Sequence, residues 1–117
     1  MRISDPALRD RIARALEDAD SSKVLHAVRA VPKNAQDISN EVAVPLSSIY
    51  RKLAILRGAG LVFVKSYEIT TEGKRQELFL SAVTEVKLIV SGDKVEIELT
   101  PTSENVSRAW LKLFSRQ

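Results

Sequence analysis

Cysteine is missing altogether from these 117 residues, and histidine occurs once, at His26. That excludes disulfides, thiolate metal sites and cysteine-based redox sensing within the chain. A lone imidazole cannot assemble a metal centre by itself, so neither a metal nor another cofactor is expected, and His26 reads as structural. Glycine and proline number only four each, and no stretch is of low complexity or repeats another. No apolar run comes near the ~18 residues of a membrane span. The opening MRISDPALRDR has no apolar signal core, so a cytoplasmic location is the expectation. Catalytic constellations are equally scarce. No Ser/His/Asp set has a usable spacing, and Glu85, Glu96 and Glu98 alternate along strand-like runs with Lys87 nearby, as on a solvated face. The chain does not read as an enzyme.

What is present is a clear order of elements in a single α+β domain, residues 1–117. Asp5-Pro6 is a cap followed by proline, and Leu8, Ile12, Ala15 and Leu16 recur at helical spacing, which predicts a helix over Pro6–Ala19. Asp20, Ser21 and Ser22 are candidate caps for a second helix with Val24, Leu25, Val28 and Val31 as its stripe, stopped by Pro32. Asn34 with Asp37 three residues on predicts a third helix, burying Ile38 and Val42. Val44-Pro45 turns the chain, because a residue before proline avoids the α region. A fourth helix follows over Pro45–Ala59, and Gly60 stops it. Strand-like Leu61–Ile69 and Gln76–Val83 flank the polar loop Thr70–Arg75. Helix, turn, helix and hairpin in that order make a winged helix-turn-helix over residues 20–82. A second hairpin turning at Gly92-Asp93 and a last helix after Ser103 are added to it.

The fourth helix sorts its residues by face. Leu46, Ile49, Leu53 and Leu56 share one side; Ser47, Ser48, Arg51 and, partly, Tyr50 and Lys52 take the other. No acid lies between Pro45 and Arg57. Residues 32–76 carry seven Lys/Arg against four Asp/Glu, whereas residues 83–104 carry two against five, inside a mild overall charge of +3. Positive charge thus gathers where phosphates would lie on double-stranded DNA. Arg51 is the best base reader, since a guanidinium bonds guanine O6 and N7 together. Ser47 and Ser48 suit a base or a phosphate, and Tyr50 a thymine methyl or a phosphate. Lys52 and Arg57 suit the backbone, and Lys74 and Arg75 the minor groove or its flanks. Each has a plainer alternative: a solvated helix face for Arg51 and Lys52, packing for Tyr50, a solubilised loop for Lys74 and Arg75.

The run SSIYRKLAILRGAGLV, residues 47–62, resembles the recognition helix and wing entry of ArsR-like winged-helix transcription regulators. It looks most like archaeal members in which proline opens that helix and Tyr-Arg-Lys-Leu follows. The resemblance spans residues 5–82. It implies a sequence-specific DNA-binding regulator, with repression the commoner outcome. It assigns recognition positions to Ser47, Ser48, Tyr50, Arg51 and Lys52, and wing positions to Thr71, Lys74 and Arg75. Metal sensing is not implied, because metal-sensing members use a cysteine-containing pair or acid and histidine ligands, and this chain has no cysteine and one histidine; any small-molecule effector stays unknown.

One recognition helix touches few base pairs, so a two-fold dimer is expected. Residues 1–19 and 83–117 flank the core with apolar side chains beyond its needs, and Leu8, Ile12, Val106, Trp110, Leu113 and Phe114 are the candidate interface. The competing expectation is a winged-helix module for protein–protein contact in a transcription-related assembly, docking through the acidic hairpin Val83–Thr100.

Overall fold

A computed structural model describes residues 1–114, with side chains as far as Lys112. The chain runs β1 (Arg2–Ile3), α1 (Pro6–Ala15), α2 (Ala19–Ala27), α3 (Ala35–Val42), α4 (Leu46–Gly58), β2 (Val62–Ile69), β3 (Arg75–Ser81), β4 (Val83–Ser91), β5 (Lys94–Pro101) and α5 (Glu104–Phe114). It is an α+β winged helix-turn-helix with an added hairpin and a C-terminal helix. Buried Leu8, Ile12, Val24, Val28, Ile38, Ile49, Leu53, Leu56, Leu61, Ile97, Leu99 and Trp110 belong to one apolar cluster drawn from every helix and both hairpins.

Side-chain caps set three helix starts. Asp5 accepts from Leu8 N at 3.3 Å, Asp18 from Ser21 N at 2.7 Å and Asn34 from Asp37 N at 2.8 Å. The second corrects the sequence reading twice. The first helix stops at Ala15, not Ala19, and the second begins after Asp18 instead of after Asp20, Ser21 or Ser22. Leu16 already leaves helical geometry, and the extended backbone of Asp18 lets its carboxylate satisfy a first-turn amide. Because α2 ends at Ala27, Val31 falls off its apolar stripe and is exposed.

Between α3 and α4 the chain reverses through Ala43, a non-glycine residue at φ 57°. Ser39 holds the turn, its amide-facing carbonyl taking Val44 N at 3.3 Å and its hydroxyl donating to Val44 O at 2.5 Å. At the other end of α4, Gly60 sits at φ 77°. Its N–H donates to Arg57 O at 3.0 Å and Leu61 N donates to Leu56 O at 3.0 Å. That pair is a Schellman stop, completed by the contact of fully buried Leu56 and Leu61.

Hairpin β2–β3 is the wing, and main-chain bonds pin it to the helices. Lys33 and Phe79 exchange both backbone hydrogen bonds, at 3.0 and 2.8 Å, and Ser81 N donates to Val28 O at 2.9 Å. β3 starts at Arg75, so that residue belongs to the wing strand, opposite Ile69, and not to the loop. The second sheet has the order β1-β5-β4, with Val86 facing Leu99, Leu88 facing Ile97 and Val90 facing Val95 across the added hairpin. Ile97 and Leu99 enter the core, whereas Leu88 and Val90 stay 66% and 71% exposed near the tip. Ser103 caps α5, its hydroxyl accepting from Val106 N at 3.2 Å. No helix of the described residues is long and apolar enough to cross a membrane.

The two glycines at the end of α4 should respond oppositely to alanine. Gly60→Ala forces a Cβ into the left-handed region and should lower unfolding free energy by about 1–2 kcal/mol. Gly58 lies inside the helix with open space where a Cβ would stand. Gly58→Ala should therefore raise stability by about 0.5–1 kcal/mol. Denaturant unfolding of the two variants checks both signs.

Candidate nucleic-acid interface

α4 buries Ile49, Leu53 and Leu56 and turns Ser47, Tyr50, Arg51, Ala54 and Ile55 to solvent, with Ser48 half-buried beside them. Pro45 stands at its N-cap and makes no side-chain cap. The first-turn N–H groups are thus left for an outside acceptor, next to the Ser47 and Ser48 hydroxyls and at the positive end of the helix dipole. Arg51 is exposed and makes no ion pair or hydrogen bond among the described residues. Ser47, Ser48 and Ala54 beside it are small, so the guanidinium is accessible and can enter a groove.

Lys52 does not join it. Only 9% of this residue is exposed, and its ammonium meets Asp18 Oδ2 at 2.9 Å. The sequence reading put Lys52 partly on the outer face as a backbone contact; the structure instead spends its charge on bracing α4 against the α1–α2 turn. Asp18 uses both oxygens, one for Lys52 and one for the cap of α2. The Lys52 hydrogen bond, then the Ser21 amide and hydroxyl, hold its carboxyl down at about 2 from a usual 3.8. Arg57 is also engaged, with Glu77 of β3 at 3.5 Å, although both side chains remain about half exposed. This pair crosses from the end of α4 to the wing.

At the wing, Thr71 and Lys74 are exposed in the loop, where Gly73 makes the turn and Lys74 N donates to Thr70 Oγ1 at 3.0 Å. The Arg75 guanidinium lies 3.6 Å above the ring of Tyr67, a cation–π contact that stiffens the wing and leaves the guanidinium rim outward. Asn34, which caps α3, also donates to Glu68 at 2.7 Å and Gln76 at 3.1 Å. Tyr50, Gln36 and Arg75 line the same small notch between α3, α4 and the wing. The structure therefore brings Ser47, Ser48, Tyr50 and Arg51 onto one helix and Arg75 to its flank. It keeps Thr71 and Lys74 at the loop and removes Lys52. Sequence reasoning missed Ala54 and Ile55, the exposed apolar part of that face; the helical spacing from Arg51 carries their signal.

The expected dimer residues fare differently. Leu8, Ile12 and Trp110 are 3%, 0% and 3% exposed, packed into this chain's own core, so they have no surface to lend a partner. Amphipathic spacing marks a buried face without saying what buries it. Val106 is half-buried against the same core, and the side chains of Leu113 and Phe114 lie outside the described residues.

No protein-family model and no curated protein matches this sequence. Among solved structures it is similar to NolR from Sinorhizobium fredii, at 12% identity over 98% of this chain and 95% of that one, with a TM-score of 0.46. It is similar to a homodimeric winged helix-turn-helix DNA-binding domain from Mycobacterium bovis, a possible ArsR-family regulator, at 14% identity over 94% and 80%, TM-score 0.47. A possible transcriptional regulator from Methanosarcina mazei aligns at 12% identity over 99% and 92%, TM-score 0.49.

Removing the Asp18 charge tests the brace. Asp18→Asn keeps a good cap but loses the ion pair, so it should lower the melting temperature at neutral pH. Because the folded carboxyl is depressed, its stabilisation is whole above 3.8 and fades as pH falls toward about 2. The melting gap between wild type and Asp18→Asn should close over that window, and Arg51→Ala should leave melting unchanged throughout.

Proposed function

We propose that this chain is a homodimeric, sequence-specific DNA-binding transcription regulator of the ArsR-like kind, acting as a repressor. The observation that carries the reading is the outer face of α4. It combines an unpaired Arg51, small Ser47, Ser48 and Ala54 beside it, open first-turn amides and a stiffened basic wing. Arg51 and Tyr50 read base edges from the major groove, with Ala54 and Ile55 available to thymine methyls. Ser47, Ser48 and the α4 amides hold a phosphate, and Thr71, Lys74 and Arg75 follow the flanking backbone or minor groove. Residues 20–82 form the reading unit, and the flanks 1–19 and 83–117 serve dimerisation. Exposed Leu88, Val90, Val95 and Leu111 support an association surface in place of the buried candidates.

A second reading has an observation of its own. Leu88, Val90 and Val95 form an apolar strip on one face of the added hairpin, and Glu85, Lys87, Glu96 and Glu98 occupy the other. Such a surface also suits a protein partner in a transcription-related assembly.

Selection of random duplexes with the purified protein at about 150 mM salt separates the two. Regulation predicts an enriched inverted repeat with half-sites about 10 bp, or a multiple, apart. Arg51→Ala should then cost about 1–3 kcal/mol on the selected site and relax preference at one position. Lys74→Ala should weaken all sequences alike and reduce the salt slope by about one. Sequence-blind, weak binding would favour the docking module.

A further inference from the structure

Beside Gly60 a cavity of about 370 Å³ opens between α5, the end of α4 and the root of the wing. That is near the lower limit for small organic ligands, about 300 Å³. Its floor is apolar, built from Val62, Phe63, Val106 and Trp110. Trp110 is fixed there, because its indole N–H donates to Gly60 O at 3.1 Å. The buried indole is thereby held at the back of the cavity, with its one polar atom satisfied.

The rim is positive. Arg57 and Lys65 both border the opening, and Arg57 is shared with Glu77. Lys65 makes no ion pair or hydrogen bond among the described residues. Its backbone is unusual too. Pairing runs from Val64–Phe79 directly to Ser66–Leu78, so Lys65 is an extra residue in β2 with no partner in β3. A bulge re-aims the side chain it carries, and this one borders the cavity. An apolar slot with a satisfied floor and a spare cation at its mouth matches one ligand chemistry. We propose that the cavity binds a small amphipathic organic anion, with a flat or branched apolar body against Phe63 and Val106, in front of Trp110, and a carboxylate or sulfonate at Lys65 and Arg57.

The lining comes from three elements whose relative position matters to the reading above. Occupancy would wedge α5 against the wing root and the C-terminal end of α4, and so alter the angle between wing and recognition helix. This consequence for DNA rests on the proposed regulator function; binding to the site does not.

Trp110 is the only tryptophan and borders the cavity, so its emission responds to a ligand bound there. Anilinonaphthalene sulfonate supplies an aromatic body with an anion, and phenylnaphthylamine nearly the same body without charge. Titrated without DNA, the sulfonate should quench Trp110 saturably at one site per chain and bind about threefold tighter than the neutral probe, the scale of an exposed ion pair. Lys65→Met should shrink that difference while sparing the neutral probe. Ala109→Phe, an exposed lining position, should fill the slot and abolish both titrations with the melting temperature retained. Absence of saturable quenching overturns the proposal. So does equal binding of the two probes that ignores Lys65→Met, and so does quenching that vanishes as chains associate, since a second copy would then own the face. Loss of sequence-specific DNA binding in the duplex selection, with probe binding intact, would sink the regulator reading and leave this site standing.

Discussion

Gly60 is the residue through which α4, the wing and the last helix are all oriented. Its left-handed backbone ends α4 by returning two hydrogen bonds to Arg57 and Leu56, and it points the chain straight into β2. Its carbonyl, free of the helix, takes the indole N–H of Trp110. A side chain here would strain the backbone, and any drift would move the wing relative to α4 and loosen α5 at once. The remaining fasteners are main-chain bonds at fixed positions: Lys33 with Phe79, Ser81 with Val28, Ala82 with Leu61. Backbone bonds of this kind tolerate side-chain change, so a single glycine carries the geometric demand that the sequence must meet.

This is why so much of the fold was legible without coordinates. Elements fixed by local chemistry announce themselves: Asn34 as a cap, Pro45 as a helix start, Gly60 as a stop, Gly92-Asp93 as a hairpin turn, and period-two alternation in β4 and β5. What escaped was set by distant partners. Asp18 looked like an ordinary surface acid inside a helix; only the approach of Lys52, thirty-four residues on, makes it worth breaking the helix there. Lys52 itself looked exposed, because a lysine between Arg51 and Leu53 lies at the edge of the apolar face and its stem can run either way. Leu8 and Ile12 had the right spacing for an interface, yet spacing cannot distinguish a neighbour in the same chain from one in another. Arg75 read as loop because its strand begins with no apolar signal and its partner is an aromatic ring, not an acid.

The same pairings reshape the electrostatics of the candidate interface. Counting charges along residues 32–76 suggests a broadly basic surface, but Lys33 meets Glu41, Lys52 meets Asp18 and Arg57 meets Glu77. The cations left to an external phosphate are few and separated: Arg51 on the helix, Lys74 at the loop and Arg75 along the wing strand. Few free cations mean few released counterions, and therefore modest non-specific affinity. Under the proposed function, such a surface would depend on base-edge contacts and on repetition by symmetry more than on bulk charge.

Lys65 falls outside this accounting, since it is basic, unpaired and placed at the wing root instead of its tip. On a regular strand, successive side chains alternate faces, and β2 would simply continue that pattern toward the loop. The extra residue interrupts it where the wing leaves the body of the domain, next to Gly60 and Trp110. A bulge disrupts local pairing, so a strand that needed only to be stiff would do better without one. The wing is otherwise braced along its length by Arg75 on Tyr67 and by Asn34 on Glu68 and Gln76. Its outer part is therefore tied to α3, and the bulge lies between that brace and the body of the domain. A ligand bound as proposed would press on the strand at its unpaired residue, between the core and the braced part of the wing.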